Sequence, residues 1–472
     1  MSMAVASRRC SLRSPDPRST AAILPALFRN EVRNLLTSRA LWILLLILSP
    51  LVGYSFIQAV SLFGEASRSA LQSAELARGM TPLDGILVPT FGGFYLVVTL
   101  LFPFVAIRAV GQEKQSGALK LALQSPVRVP TLVATKVLAV GLVWLIVLLP
   151  AASAVAAWRL LGGHLYGPEV AGLLFGHALY GLAVTAIAFF AAAVTESIAT
   201  GAIVTLAFTI GSWVLDFAAS GQVGWLAKLA PLSLTATLRE FEHGLFASAG
   251  ALRTLTFSLA LLALSVVWLP PGTRLRAKLA ISIAMLFAAA LLVAGAGETR
   301  WYVELSEDQR NSFDPEDEAA LRKIMAPLAI TLYLSPDDSR AREMESDVLA
   351  KLRRAVPRLT IRYASVKAGP FGASGDDRYG VIVYEYAGKH EESRSNSPRE
   401  ILPILYGLAD VTVKPGAVTI YPGYPLVAEP AAAAWWFYGA LPGLILYGWW
   451  RTRGAAPAPR RSGQSQPREK QS

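Results

Sequence analysis

The polar groups with the clearest pattern in this 472-residue chain lie between positions 108 and 136, in the run RAVGQEKQSGALKLALQSPVRVPTLVATK. Arg108, Lys114, Lys120, Arg128 and Lys136 stand there against a single acid, Glu113. Strongly apolar runs at 86–107 and 137–158 flank the stretch, and each has the ~20 residues that a bilayer crossing needs. An excess of Lys and Arg in a short connection marks the cytoplasmic side. The stretch therefore reads as a cytoplasmic loop, long enough for a short helix beneath the membrane. Ser125-Pro126 breaks any helix there. What it offers is charge and surface; it holds no nucleophile–base set.

Other residues capable of chemistry are scattered. The one cysteine, Cys10, forbids an intramolecular disulfide or a cysteine-based metal cluster. The four histidines, His164, His177, His243 and His390, have no ligand spacing, so no metal is expected. His177 sits in an apolar run and reads as a packed interhelical histidine. His390, Ser393 and Asp377 lie loosely on a polar turn, which reads as a solvated loop and not as a catalytic set. The adjacent acids Asp337-Asp338 and Glu391-Glu392 point in different directions, as solvated loop faces do. Tyr379, Tyr384 and Tyr386 read as strand packing. No G-x-x-x-x-G-K-[ST] motif is present, so the chain is not its own P-loop ATPase, and no cofactor is expected to bind it.

The elements around these residues are mostly membrane spans. The chain is 53% hydrophobic and only 16% charged, against about 25% charged in soluble domains. Its mean hydropathy is +0.44. The formal net charge of +11 is spread over tails and span-flanking loops, which favours a topology signal over nucleic-acid binding. A basic, disordered cytoplasmic tail is expected at 1–22. Residues 23–39 have helical apolar spacing with Arg29, Arg33 and Arg39 among it, as in an interfacial amphipathic helix. Spans are expected at 41–63, 86–107, 137–158, 170–194, 198–217 and 252–269. Between the last two of these, 220–250 is too polar to cross and fits short helices at the outer interface. A basic loop and a seventh span fill 271–296. A last span at 431–450, belted by Trp435, Trp436, Trp449 and Trp450, precedes a basic tail at 451–472.

The fold expected is a polytopic α-helical membrane protein of about eight transmembrane helices. Both termini then lie in the cytoplasm, and every clearly basic loop falls on that face. Asp216 sits near an outer end, whereas Arg108 and Lys136 sit at inner ends, where they can snorkel. Mid-depth ionisable residues are almost absent, which disfavours proton- or sodium-coupled transport.

This topology leaves 297–430 outside as an extracytoplasmic α/β domain inserted between the last two spans. Asp314-Pro315-Glu316-Asp317 reads as a helix start. Strand alternation at 328–334, a helix face at Met344, Val348, Leu349 and Leu352, and alternation at 359–366 make a β-α-β unit and predict a parallel sheet. A further strand is expected at 379–386, turned at Gly388. Ser397-Pro398-Arg399-Glu400 reads as a capping box.

Two resemblances bear on function. Glu113, Gly117, the LALQSPVR run and Lys136 resemble the coupling loop of type-2 ATP-binding-cassette (ABC) exporter permeases. The resemblance implies a six-span permease core at 23–270 that docks through 108–136 onto a separate ABC ATPase subunit. That partner would hold ATP and Mg. By the same resemblance Glu113, Gly117, Ser125, Pro126 and Arg128 take part in coupling, and Glu31 and Arg33 belong to a connecting helix. A homodimer or a paired related permease in the bacterial cytoplasmic membrane is also implied. The same residues also fit a basic loop that only sets topology, and a generic basic anchor before the first span. The patterns at 300–306 and 311–321, and the strand and helix up to Pro357, resemble the outer auxiliary domain of gliding-motility-type ABC transporters, here shortened. The function this implies is export of a substrate that the sequence does not identify. The alternative is a non-transporting anchor or mechanotransmission subunit whose outer domain, 297–430, binds an envelope partner.

Overall fold

The computed structural model describes residues 17–124, 127–219, 233–297, 299, 301–335, 338–364, 378–413 and 421–453. Helix α1 (Pro17–Leu36) starts before the expected position 23 and takes in the end of the segment expected to be disordered. Proline is tolerated in a first turn, and the alanines behind it favour helix. The indole Nε1 of Trp42 donates to Leu36 O at 2.7 Å and closes the turn into α2 (Arg39–Ala70).

After the short α3 (Ala74–Arg78), a π turn at Leu83–Leu87 leads into α4 (Val88–Ala106) and α5 (Arg108–Ser116). Helix α6 is Ala118–Gln124, and α7 (Val129–Val147) leads on to α8 (Leu149–Leu160). The expected loop at 108–136 is thus largely helical. The third span begins at Val129, not at 137, because Pro130 sits in the first turn behind an extended Arg128. Helices α9 (Gly167–Val194) and α10 (Ile198–Ala219) follow. Then come α11 (Leu234–Glu242), strand β1 (Leu245–Ala247), α12 (Ser248–Trp268) and α13 (Leu275–Gly297).

Among the described residues, seven helical stretches are long and apolar enough to cross a membrane: Arg39–Ala70, Leu83–Ser116, Val129–Leu160, Gly167–Val194, Ile198–Ala218, Ser248–Trp268 and Leu275–Gly297. The expected eighth span is not among these seven. It forms as α18 (Ala431–Trp435), a π turn at Trp436–Ala440 and α19 (Leu441–Arg453), diluted by Trp, Tyr and Gly. It packs on α2, where the carbonyl of Phe437 accepts from Ser49 Oγ at 3.1 Å.

A second hydrophobic core, separate from that of the bundle, belongs to an α/β unit. Strand β2 (Tyr302–Glu304) pairs antiparallel with β1, placing Leu245 opposite Glu304. Then follow α14 (Pro315–Leu321), β3 (Leu328–Leu332), α15 (Ser339–Met344), a π turn at Glu345–Leu349, α16 (Ala350–Ala355) and β4 (Leu359–Tyr363). Strands β5 (Ile382–Tyr386) and β6 (Lys389–Ser393) form a hairpin before α17 (Pro398–Ala409). The sheet order is β4-β3-β5-β6. Among the described residues only β3 and β4 run parallel, so the sheet is mixed where a parallel one was expected. Leu328, Ile330 and Leu332 on one face of β3 are buried with Met344, Val348, Leu352, Tyr384, Ile401 and Leu405. The expected caps at Asp314 and Ser397 make no side-chain bond to the helix; Pro315 and Pro398 in the first turns set those starts.

Candidate functional site

Gly117 divides the basic stretch in two. Its φ of 78° is left-handed, and its amide donates to Lys114 O at 3.4 Å to end α5. A Cβ there would meet nothing within 4 Å, so it is backbone conformation and not space that asks for glycine. Helix α6 then follows as a separate short arm. Ser125 and Pro126, expected to form the turn after it, lie outside the described residues. Arg128 follows, exposed and extended, as the residue before α7.

Three charged side chains meet beside this break. Lys136 Nζ donates to Glu31 Oε1 at 2.6 Å and to Ala109 O at 2.8 Å. It also lies 2.9 Å from Glu113 Oε2, an ion-pair contact in which that oxygen lacks hydrogen-bond geometry. The side chains of Lys136 and Glu31 are 1% and 3% exposed and that of Glu113 is 19% exposed. The expectation that Lys136 snorkels at a span end is therefore corrected. Because α7 starts at Val129, Lys136 sits about two turns inside it and faces α1 and α5.

One cation held between two carboxylates in a dry place is costly to assemble and costly to break. Burial pushes the Glu31 carboxyl from its ordinary 4.5 up to about 7; Lys136 pulls it down, and the neighbouring Glu113 adds to the rise. A cleft of about 210 Å³ opens onto the joint, lined by Asn30, Glu31, Asn34, Arg108, Gln112, Glu113 and Ser116. Arg33 is exposed on α1.

Lys114 was read from sequence only as part of the basic excess. Its Nζ donates to the carbonyls of Ala192, Ala193 and Thr195 at 3.2, 2.9 and 2.6 Å. An ammonium on the last carbonyls of a helix answers its orphan acceptors and its dipole. This ties α5 to the end of α9. The only advance signal was a lysine next to the acid, which does not name its target.

A second polar junction, at the other end of the bundle, was not found from sequence. Glu307 stands at its centre. Its Oε2 lies 2.7 Å from His164 Nε2, its Oε1 accepts from Tyr424 OH at 2.7 Å, and its amide donates to Glu169 Oε1 at 2.8 Å. The His164 and Tyr424 rings stack at 3.6 Å. Arg310 pairs with Asp308 and with Asp84 and donates to Thr81 Oγ1 at 3.0 Å. These contacts fasten the start and end of the α/β unit to loops of the bundle.

The remaining expectations divide. His177 is fully buried against Phe91 and Phe94, with its Nδ1 3.0 Å from Leu173 O, as an interhelical packing residue. Asp216 pairs with Arg239 at 2.5 Å. His390 and Ser393 lie on strand β6, and Asp377 is outside the described residues, so no triad is brought together. Asp338 is not merely a solvated acid: it caps α15, pairs with Arg340 and accepts from Tyr379 OH at 2.7 Å. The strand expected from Tyr379 starts only at Ile382, so Tyr379 falls before it, whereas Tyr384 is buried in β5. Among the described residues no group of three or more His, Cys, Asp or Glu could hold a metal ion.

Comparison with known proteins gave one match. A family model described as ABC-2 family transporter protein covers residues 25–267, just over half of the chain. No curated protein and no solved structure matches the chain significantly.

Proposed function

The chain belongs to the ABC-2 transporter family and is a membrane permease component of an ABC transporter; we propose that it is the subunit through which a separate ATPase drives export. The observation that supports this most is the Glu31–Lys136–Glu113 joint. It fixes an amphipathic helix, a basic hairpin and a span to one another at a single dry point. A hairpin pushed by a docked ATPase would then move α1 and α7 together, and through Lys114 it would move α9. The arm α6 and the turn at Ser125, Pro126 and Arg128 form the docking surface in this reading, with Glu31 and Arg33 on the connecting helix. ATP and Mg belong to the partner.

In this reading the hairpin and both termini face the cytoplasm and the α/β unit of 297–430 lies outside a bacterial inner membrane, which the excess of Lys and Arg in the stretches around the spans supports. That unit serves as a shortened auxiliary domain of the gliding-motility type, open to an envelope partner. Two permease copies, or this chain with a related one, enclose the path.

The test is co-expression with the cognate ATPase, purification of the complex and measurement of ATP hydrolysis and substrate movement in lipid. Glu113→Lys is expected to abolish ATPase-dependent activity while membrane insertion stays normal. Full activity in that variant contradicts the coupling role of the joint.

A further inference from the structure

At the end of the bundle that carries the α/β unit, helices α9 and α12 part to leave a groove of about 570 Å³. One wall is a single helical face, Phe175, Ala178, Leu179 and Leu182; the other is Ser248, Ala251, Leu252 and Leu255. Phe246 of β1 and Trp301 roof it. The roof is an aromatic cluster in which Phe246 meets Phe175 at 5.8 Å and Trp301 at 5.6 Å. The lips are open: Phe175 is 48%, Leu252 42% and Trp301 64% exposed.

Both walls belong to helices apolar enough to span a membrane, so what lies outside the lips is bilayer hydrocarbon. From Phe175 to Leu182 the groove runs about 10 Å, two-thirds of the ~15 Å that one leaflet's hydrocarbon occupies. Apart from Ser248 and the indole N–H of Trp301 the lining is apolar, which suits a methylene chain lying lengthwise between the two walls. The aromatic roof lies where the chain's carbonyl end would reach the interface, the level at which such rings gather.

We propose that this groove holds one acyl chain of a membrane lipid, taken from the leaflet on the side of the α/β unit. The chain backs the β1–β2 ribbon, which links the bundle to that unit and is held by Ser248 N donating to Trp301 O at 3.0 Å. The site stands apart from the coupling joint and does not depend on what is exported.

The test uses the full chain in nanodiscs of phosphatidylcholine with a diazirine at the end of one acyl chain, irradiated and mapped by peptide mass spectrometry. Adducts are expected to concentrate at 175–182 and 252–255, above the level at 283–291. That second stretch contains Ile283, Phe287 and Leu291, which are more exposed than Phe175 or Leu252 and do not line this groove. Ala251→Trp should remove the groove adducts and leave those at 283–291 unchanged. Leu255→Phe, a milder filling, should reduce them and covers the case in which the first variant fails to insert. Amide hydrogen exchange in β1 and β2 should be slower in lipid than in a short-chain detergent for the unaltered chain, and alike in both for the filled variants. Equal labelling of the two regions, groove labelling unaffected by either substitution, or cross-links joining groove residues of two copies would overturn the proposal.

Discussion

At one end of the bundle, Lys136 joins Glu31 and Glu113 with side chains that are 1%, 3% and 19% exposed. At the other, His164 meets Glu307 with side chains that are 32% and 22% exposed, inside a wider set of bonds from Tyr424, Glu169 and Arg310. The inner joint is small and largely buried, with one cation shared by two carboxylates and the Ala109 carbonyl. The outer junction is wetter and redundant. The first arrangement hangs on its single cation, because losing Lys136 strands two carboxylates in a low-dielectric site. The second holds two bodies together while tolerating the loss of a single contact.

Substitutions can break or sharpen that contrast. Lys136→Met leaves two buried carboxylates without their cation and is expected to cost about 3–5 kcal/mol, read as a large drop in Tm of the purified protein. Adding Glu31→Gln and Glu113→Gln should recover much of it, since the uncompensated charges are then gone.

The pH dependence of stability should be next in size. The folded state holds the Glu31 proton more tightly than the unfolded chain, with its carboxyl pushed up to about 7. Its stabilisation is therefore full below an ordinary carboxyl value of 4.5 and is lost as pH rises through about 7. On the order of 3 kcal/mol is at stake across that window. Glu31→Gln should flatten this part of the Tm–pH curve, and a curve unchanged by the substitution would remove Glu31 from the joint.

Gly117→Ala forces a Cβ into a left-handed backbone and should cost about 1–2 kcal/mol, with ATP-coupled activity falling more than Tm. At the outer junction His164→Gln should cost no more than about 1 kcal/mol. A larger loss there would erase the difference between the two ends.

Much of the bundle was legible because long apolar runs can hardly do anything but span. The α/β unit was legible through the alternation around Ile330 and the helix face at Val348 and Leu352. The helix start at Val129 was not, because the basic residues on either side suggested a loop, and Pro130 reads equally as a breaker or a first-turn residue. That ambiguity put Lys136 at a membrane edge, when its partner Glu31 lies 105 residues earlier in the chain. Glu31, Glu113 and Lys136 were each singled out, yet nothing in their spacing said that they touch. The Glu307 junction was harder still. Its partners are 117 to 143 residues away, in the connection before α9, in the first turn of α9 and in the stretch before α18, so only the assembled fold brings them together.

Helix α9 gives the two ends a common axis. Lys114 grips the carbonyls at its last turn, while at its first turns Glu169 takes the amide of Glu307, and Gly172 and Gly176 leave room for Leu305 and Phe241. At 28 residues it is one continuous helix about 42 Å long. A thrust on the basic hairpin would thus arrive beneath the α/β unit as a lengthwise stroke, with α9 serving as the pushrod.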